Sequence, residues 1–171
     1  MNALLSLLGL LLTTIPPPPV ARSAAQVDGW PLRPRPSVVR AFDPPAARWS
    51  SGHRGVDLLS GPGAQVRAPL PGRISFAGTI AGRGVVVIDH GGRRTTYEPV
   101  EPLLPRGSAV QIGTVIGELA AGPSHCAPRT CLHWGLIIGT EYADPLTLLG
   151  PGPVRLLPFA AADQARGWAN R

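Results

Sequence analysis

Three residues of the sequence have side chains that bind zinc in proteins, at a spacing that could bring them together. His53 and Asp57 stand four residues apart in the segment GHRGVDLL, and His133 lies in the segment CLHWGLI. If the first segment is extended, His53 and Asp57 share one face, and Gly55 leaves space between them. Two imidazoles and one carboxylate suit Zn²⁺ with a fourth position left for water, the pattern of a catalytic site. Spacing alone leaves an alternative open, because a single histidine is more often a surface residue or a hydrogen-bonded core residue.

The strand predicted around His133 has two faces of different character. Alternation of side chains places three apolar residues on the face that we expect to be the core face: Leu132, Trp134 and Leu136. His133 shares the opposite face with Cys131 and Gly135. We therefore expect the imidazole to point away from the core, beside a small residue that leaves room for a cleft.

The N-terminal segment ALLSLLGLLLTTI has the length of the apolar region of a signal peptide and is short for a membrane span. Small residues at 23–25 offer a cleavage site. The alternative is an uncleaved N-terminal anchor. Both interpretations place the rest of the chain outside the cytoplasm. No second apolar span follows, so we expect no integral membrane domain beyond this segment.

Both cysteines precede His133 closely. In an oxidising compartment, Cys126 and Cys131 are expected to form a disulfide. The bridge would close a loop of about six residues and contribute roughly 2 kcal/mol by the chain-entropy estimate. The alternative is a metal clip in which both thiolates and His133 bind the ion.

The elements that must position these residues are short strands. The chain of 171 residues is long enough for one domain, and its 21 glycines and 21 prolines argue against long helices. Six β-type runs, each bounded by Gly, Pro or Asp, follow one another along the chain: AQVRAPL, GRISFAGTI, GVVVIDH, RRTTYEPV, AVQIGTVIGEL and CLHWGLII. The pattern indicates strands joined by turns.

We divide the chain into four segments. Residues 1–25 are predicted to be the signal peptide, 26–52 an extended segment that packs on the domain, 53–149 the β domain, and 150–171 a C-terminal tail. The extended segment carries residues that we expect to act as packed anchors: Trp30, Val38, Val39, Phe42 and Trp49.

The charge balance narrows the choice of partner. The formal net charge is +6, which favours anionic polymers in general. The basic runs and interleaved aromatic residues of a nucleic-acid-binding protein are missing, so we expect no nucleic-acid partner. A lipoyl- or biotin-carrier domain is disfavoured as well, because such carriers attach the cofactor to lysine and all 16 basic residues here are arginine.

The motifs together resemble one known family. GHRGVDL, GAQVRAPLPGRISFAG, GVVVIDHG, TTYEPV, GTVIGEL and CLHWGL occur in the order found in lysostaphin-type zinc metallopeptidases, the family with the LytM domain. The resemblance covers roughly residues 53–149. It implies an all-β fold, an antiparallel β-sheet sandwich with a groove across the metal. It also implies zinc bound by His53, Asp57 and His133, and peptidoglycan cross-link peptides as substrate.

The sequence departs from this family at both positions where a catalytic histidine is expected. The Tyr-x-His motif reads Tyr97-Glu98-Pro99, and the first position of the His-x-His motif is Cys131. Neither proline nor a disulfide sulfur can shuttle protons. The candidate catalytic replacements are His125, held near the site by the predicted disulfide loop, and Glu98. Each also has a simpler interpretation, as an exposed loop residue and a solvated charge respectively.

Two function hypotheses follow from the resemblance. The first is a secreted or cell-wall-associated zinc metalloendopeptidase, expected to be monomeric, that acts on peptidoglycan peptides. The second is a catalytically impaired module that keeps the zinc site and binds the wall or activates another hydrolase. The retained ligands favour the first hypothesis, and the replaced histidines favour the second. His90, in the segment DHGG, is expected to shape a turn.

Overall fold

The computed structural model describes residues 29–47, 49–122 and 124–150. The predicted signal peptide and nearly all of the predicted C-terminal tail lie outside the described residues. Within the described ranges, no helix is long and apolar enough to cross a membrane. These ranges contain strands, turns and one short 3₁₀ helix.

The strands, in chain order, are β1 (Val38–Arg40), β2 (Gly55–Leu59), β3 (Gln65–Arg67), β4 (Gly72–Ile80), β5 (Arg83–Asp89), β6 (Arg93–Glu98), β7 (Val100–Pro102), β8 (Ala109–Val110), β9 (Val115–Leu119), β10 (Cys131–Ile138) and β11 (Glu141–Ala143). The 3₁₀ helix covers Pro145–Leu149. Each of the six predicted runs contains at least one strand. Two runs are divided: RRTTYEPV at Pro99, between β6 and β7, and AVQIGTVIGEL between β8 and β9.

The strands form two antiparallel sheets. The larger sheet has eight strands in the order β1-β2-β10-β6-β5-β4-β8, with β11 also paired to β10. The smaller sheet has three strands in the order β3-β9-β7. Consequently β2, β10 and β6, which carry most of the predicted site residues, are direct neighbours near the middle of the larger sheet.

Both sheets contribute side chains to one hydrophobic core. Trp134 and Tyr97 from the larger sheet are fully buried, as are Val66 and Ile116 from the smaller sheet. The predicted alternation along β10 is confirmed, since Leu132, Trp134 and Leu136 are all buried. The fold is thus the all-β antiparallel sandwich that the family resemblance implied.

The segment before the β domain adds an edge to the larger sheet. β1 pairs with β2, and an isolated bridge joins Asp43 to His53. Trp30 is buried in the core and Phe42 packs against it, as expected. The prediction of packed anchors was wrong for Val38, Val39 and Trp49, which are exposed; Trp49 is 88% exposed. Prolines at 44 and 45 follow the bridge, and residues 46, 47 and 49 after them lie at the surface.

The predicted disulfide is present between Cys126 and Cys131. β10 begins at Cys131, so the bridge ties the preceding loop directly to the strand that carries His133. The bonded sulfurs are not available as thiolate ligands, which excludes the metal-clip alternative for this state of the protein.

Candidate metal centre

Strand register places three polar residues in one row across the larger sheet. His133 of β10 lies directly opposite Asp57 of β2 on one side and opposite Glu98 of β6 on the other. Directly paired residues point to the same face of a sheet. The strands therefore present two carboxylates on either side of one imidazole, over the face turned away from the core.

The Asp57 carboxylate is the point at which the histidines meet. Its Oδ1 atom lies 2.8 Å from His133 Nδ1, 3.1 Å from His53 Nε2 and 3.2 Å from His125 Nδ1. His53 Nε2 and His133 Nδ1 are 3.2 Å apart. The structure thus brings together the three predicted ligands, with His125 beside them as a third imidazole.

One hydrogen bond determines which nitrogen of His53 faces the cluster with a lone pair. His53 Nδ1 lies 2.7 Å from the carbonyl oxygen of Ala41, which can only accept. His53 Nδ1 therefore donates, and in the neutral ring Nε2 carries a lone pair directed at Asp57 and His133. Metal-binding histidines commonly show this pattern, in which the outer nitrogen donates to a carbonyl or carboxylate.

The donor atoms of the cluster could hold a cation between them. The lone pair of His53 Nε2 faces a carboxylate oxygen, and the second oxygen, Asp57 Oδ2, is buried with no hydrogen-bond partner among the described residues. Such an arrangement is costly unless a proton or a metal ion lies between the groups. With bonds of about 2.0–2.1 Å to zinc, tetrahedral ligand atoms lie about 3.3 Å apart, close to the distances found here. The donor set and its spacing fit Zn²⁺.

The surroundings of Asp57 keep its carboxylate in the ionised form. Burial of Asp57 alone would raise its pKa, but hydrogen bonds from His125 and His133 and the charges of His133 and His53 lower it further than burial raises it. The net pKa lies below the usual range of an aspartic acid. The group is therefore ionised at neutral pH, as a metal ligand must be.

Gly55 makes the space that the His133 ring occupies. A Cβ atom on Gly55 would lie 2.8 Å from both Cε1 and Nε2 of His133, and 2.4 Å from the carbonyl oxygen of Trp134. Contacts of this length are not made by real side chains. The expectation that a glycine between His53 and Asp57 leaves room is thereby confirmed, and the room is filled by the third ligand.

His125 reaches the cluster from the loop before β10. Its side chain is 30% exposed, whereas those of His53, Asp57 and His133 are 4%, 1% and 12% exposed. The hydrogen bond to Asp57 is the main cause of a raised pKa for His125, and burial opposes it. His125 is therefore the solvent-side member of the group.

Glu98 lies next to the cluster rather than in it. One carboxylate oxygen is 4.0 Å from His125 Nε2, and the other is 3.4 Å from Arg83 Nε. Pro99 directly follows Glu98 and is buried. Cys131 is also buried, and its sulfur belongs to the disulfide. Neither residue at the two replaced histidine positions can transfer a proton to a group in the cleft.

The fourth histidine of the sequence, His90, lies outside the cluster. It sits in the turn between β5 and β6, as predicted, with Nδ1 2.8 Å from the Pro71 carbonyl oxygen and Nε2 2.8 Å from Thr95 Oγ1. Burial lowers the pKa of His90. Its role is structural, at the end of the sheet.

The cluster lines a cleft of about 580 Å³. The polar wall contains His53, Glu98, His125 and His133, and the apolar wall contains Ile80, Val85 and Val87. A second hollow of about 790 Å³ shares Arg54, Ile137 and Tyr142 with the cleft, so the two adjoin. Sequence reasoning missed two residues that shape the site: Ala41, which acts only through its carbonyl group, and Arg83, which lies distant in sequence from Glu98.

The fold and the site define an all-β protein with a histidine- and aspartate-lined candidate metal centre in a surface cleft. A sequence model described as Peptidase family M23 matches residues 51–145, more than half of the chain. The chain belongs to that family. The match contains every residue of the cluster.

Similar sequences occur in mycobacteria. The chain is 49% identical over 138 residues to two proteins described as uncharacterized, Rv2891 of Mycobacterium tuberculosis and Mb2915 of Mycobacterium bovis. These matches cover 78% of this chain and 55% of each relative. The chain thus spans about half the length of the curated relatives it matches.

Solved structures share the fold. A zinc-containing peptidase from Vibrio cholerae is 21% identical with a TM-score of 0.57, over 67% of this chain and 37% of that one. The catalytic domain of lysostaphin from Staphylococcus simulans is 22% identical with a TM-score of 0.57, over 67% and 92%. A chain from a complex of SpoIIIAH and SpoIIQ is 22% identical with a TM-score of 0.58, and the match covers 68% of this chain and 96% of that one.

Proposed function

We propose that this protein is a zinc metalloendopeptidase that acts on the cross-link peptides of peptidoglycan outside the cytoplasm. The observation that carries the proposal is the convergence of His53, Asp57 and His133 on one point of an open cleft. Membership of peptidase family M23 supports the reaction class. The apolar N-terminal run supports the extracytoplasmic setting.

In the proposed reaction, zinc would be held by His53 Nε2, Asp57 Oδ1 and His133 Nδ1. When bound, zinc polarises a peptide carbonyl and lowers the pKa of a water molecule. The Ala41 carbonyl fixes the ring orientation of His53. The apolar wall of the cleft, formed by residues such as Ile80 and Val85, binds the peptide and limits the access of bulk water.

Proton transfer is assigned to the two groups nearest the ligands. His125 and Glu98 lie on the same side of the cleft, with His125 Nε2 4.0 Å from a Glu98 oxygen. Glu98 is positioned to accept a proton, and His125 to hold one at Nε2 and pass it to the leaving amine. Arg83 keeps the Glu98 side chain in this orientation through the contact at 3.4 Å.

A second function is favoured by the two replaced positions. Pro99 and Cys131 stand where the family motif has histidines, and neither can act as an acid or a base. General acid–base groups contribute about 10²–10⁴-fold to a rate. A protein that lost both without replacement would keep the groove and the metal, and would bind wall peptides without cleaving them. One structural neighbour is described as the SpoIIQ–SpoIIIAH pore-forming complex.

The deciding experiment measures release of new amino termini from purified peptidoglycan of several cross-link types. We expect slow release on at least one type, abolished by a chelator and restored by added zinc. Asp57→Asn should lose both zinc and release. The matched control is Glu101→Gln, which neutralises an exposed carboxylate of β7 away from the cleft. If the wild-type protein releases nothing from any cross-link type yet sediments with peptidoglycan, the binding function replaces the peptidase.

A further inference from the structure

His125 shares the geometry of the three ligands. Its Nδ1 atom lies 3.2 Å from Asp57 Oδ1, the same oxygen that His53 and His133 approach. The ligand atoms of His53, Asp57, His125 and His133 all lie within 4.8 Å of one another. A tetrahedral zinc site requires separations of about 3.3 Å, so small rotations of the His125 side chain would complete the fourth corner.

From these contacts we infer that His125 is a fourth protein ligand, so that the metal centre is closed in the resting protein and opens only when His125 leaves. The inference rests on the proposed function for the presence of zinc. It differs from that proposal in what it assigns to Nδ1 of His125: a bond to the metal at rest, with proton transfer confined to the opened state.

The ring of His125 turns one nitrogen towards the cluster and the other away from it. Nδ1 faces Asp57 at 3.2 Å, while Nε2 faces the Glu98 carboxylate at 4.0 Å, beyond hydrogen-bond distance. A metal ion bound at Nδ1 would take the place of the proton that this atom shares with Asp57, and the ring proton would then lie at Nε2, on the side of Glu98. His53 already shows this pattern, because its outer nitrogen donates to the Ala41 carbonyl at 2.7 Å.

Burial identifies His125 as the ligand that can be exchanged. The other three side chains are at most 12% exposed and lie on or beside paired strands, whereas His125 is 30% exposed on a loop. Four protein ligands leave no position for water, as in structural zinc sites, whereas catalytic sites keep one position open. A peptide or water entering the cleft from the solvent side would meet His125 first.

The disulfide keeps the displaced ligand within reach. His125 directly precedes Cys126, and Cys126 is bonded to Cys131, two residues before His133. The side chain can therefore turn away from the metal, but its backbone remains fixed to the start of β10. Such a short tether gives the fourth ligand a high local concentration at the site and makes closure the resting state.

The test compares His125→Ala with wild type and with His90→Ala, a matched removal of a histidine outside the cluster. Zinc affinity is measured by competition with a chromophoric chelator. We expect His125→Ala to bind one zinc at saturation but with an affinity lower by at least about 10–100-fold, the loss typical even for outer partners of a ligand. His90→Ala should bind zinc as wild type does.

The coordination itself is read with Co²⁺ in place of zinc. Azide should change the visible spectrum of the cobalt form of His125→Ala, because the open position accepts an anion, and should leave the wild-type spectrum unchanged. Equal zinc affinities and equal responses to azide would overturn the fourth-ligand assignment while leaving the peptidase proposal intact. A wild-type protein that binds neither metal would overturn both.

Discussion

Replacement of Gly55 by alanine tests whether packing between β2 and β10 forms the metal site. The added Cβ would lie 2.4 Å from the Trp134 carbonyl oxygen and 2.8 Å from two atoms of the His133 ring. Gly55 is paired with Gly135, so the carbonyl group cannot retreat without loosening the pairing of the two strands. Overpacking of this kind costs about 1–3 kcal/mol. We expect that loss in the free energy of unfolding, together with weaker zinc binding because the imidazole must tilt.

The matched control for this variant is Gly61→Ala. A Cβ atom on Gly61 meets no atom within 4 Å, and its backbone conformation is open to alanine. We expect no loss of stability and a gain of up to about 0.4–1 kcal/mol from the less flexible unfolded chain. Urea unfolding with chelator present measures the stability of each variant, and a zinc titration measures the site. The reasoning fails if Gly55→Ala is as stable as Gly61→Ala and binds zinc equally well.

Three further predictions concern the pH dependence, the disulfide and the metal. The pKa of His90 is lowered by burial, so the unfolded chain binds its proton first. The stability of the wild type relative to His90→Gln in urea unfolding should therefore fall as pH decreases through about 6.5, whereas the raised pKa of His125 acts in the opposite direction in both proteins. Alkylation without reduction should label neither Cys126 nor Cys131, and reduction should lower the unfolding free energy by roughly 2 kcal/mol. Elemental analysis should find one zinc per chain, lost in Asp57→Ala.

The alternation of residue types was sufficient to predict the strand faces, whereas the assignment of the three candidate ligands also needed the family resemblance. In β10, the apolar residues Leu132, Trp134 and Leu136 occupy every second position. Because side chains of a strand alternate between its two faces, burial of these three places His133 on the opposite face. His53 and Asp57 could be placed together because Gly55 lies between them. Pairing partners could not be predicted, since the register of β2 with β10 depends on contacts between distant segments. Contributions from backbone groups, such as the Ala41 carbonyl, leave no signal in residue type.

Trp49 shows why the N-terminal segment was harder to predict. A tryptophan among prolines is typical of a packed anchor, yet of the two tryptophans in this segment only Trp30 is buried, and Trp49 is exposed at the edge of the second hollow. Composition indicates that a side chain prefers an apolar environment, but not whether the chain path brings it to the core. The same limit applied to His125, whose distance to Asp57 follows from the loop path and the disulfide.

Cys131 occupies a motif position and is linked through its disulfide to the loop that carries His125. In the family motif that position holds a histidine, and here its sulfur bonds to Cys126 instead. The bridge fixes the neighbouring His125, whose Nδ1 lies 3.2 Å from Asp57 Oδ1. The strand therefore carries a disulfide sulfur at this position, while the loop tied by the same disulfide brings His125 to Asp57 from the solvent side. The imidazole that arrives this way is on a loop, so it can leave the cluster, which an imidazole held on β10 could do only by disturbing the sheet.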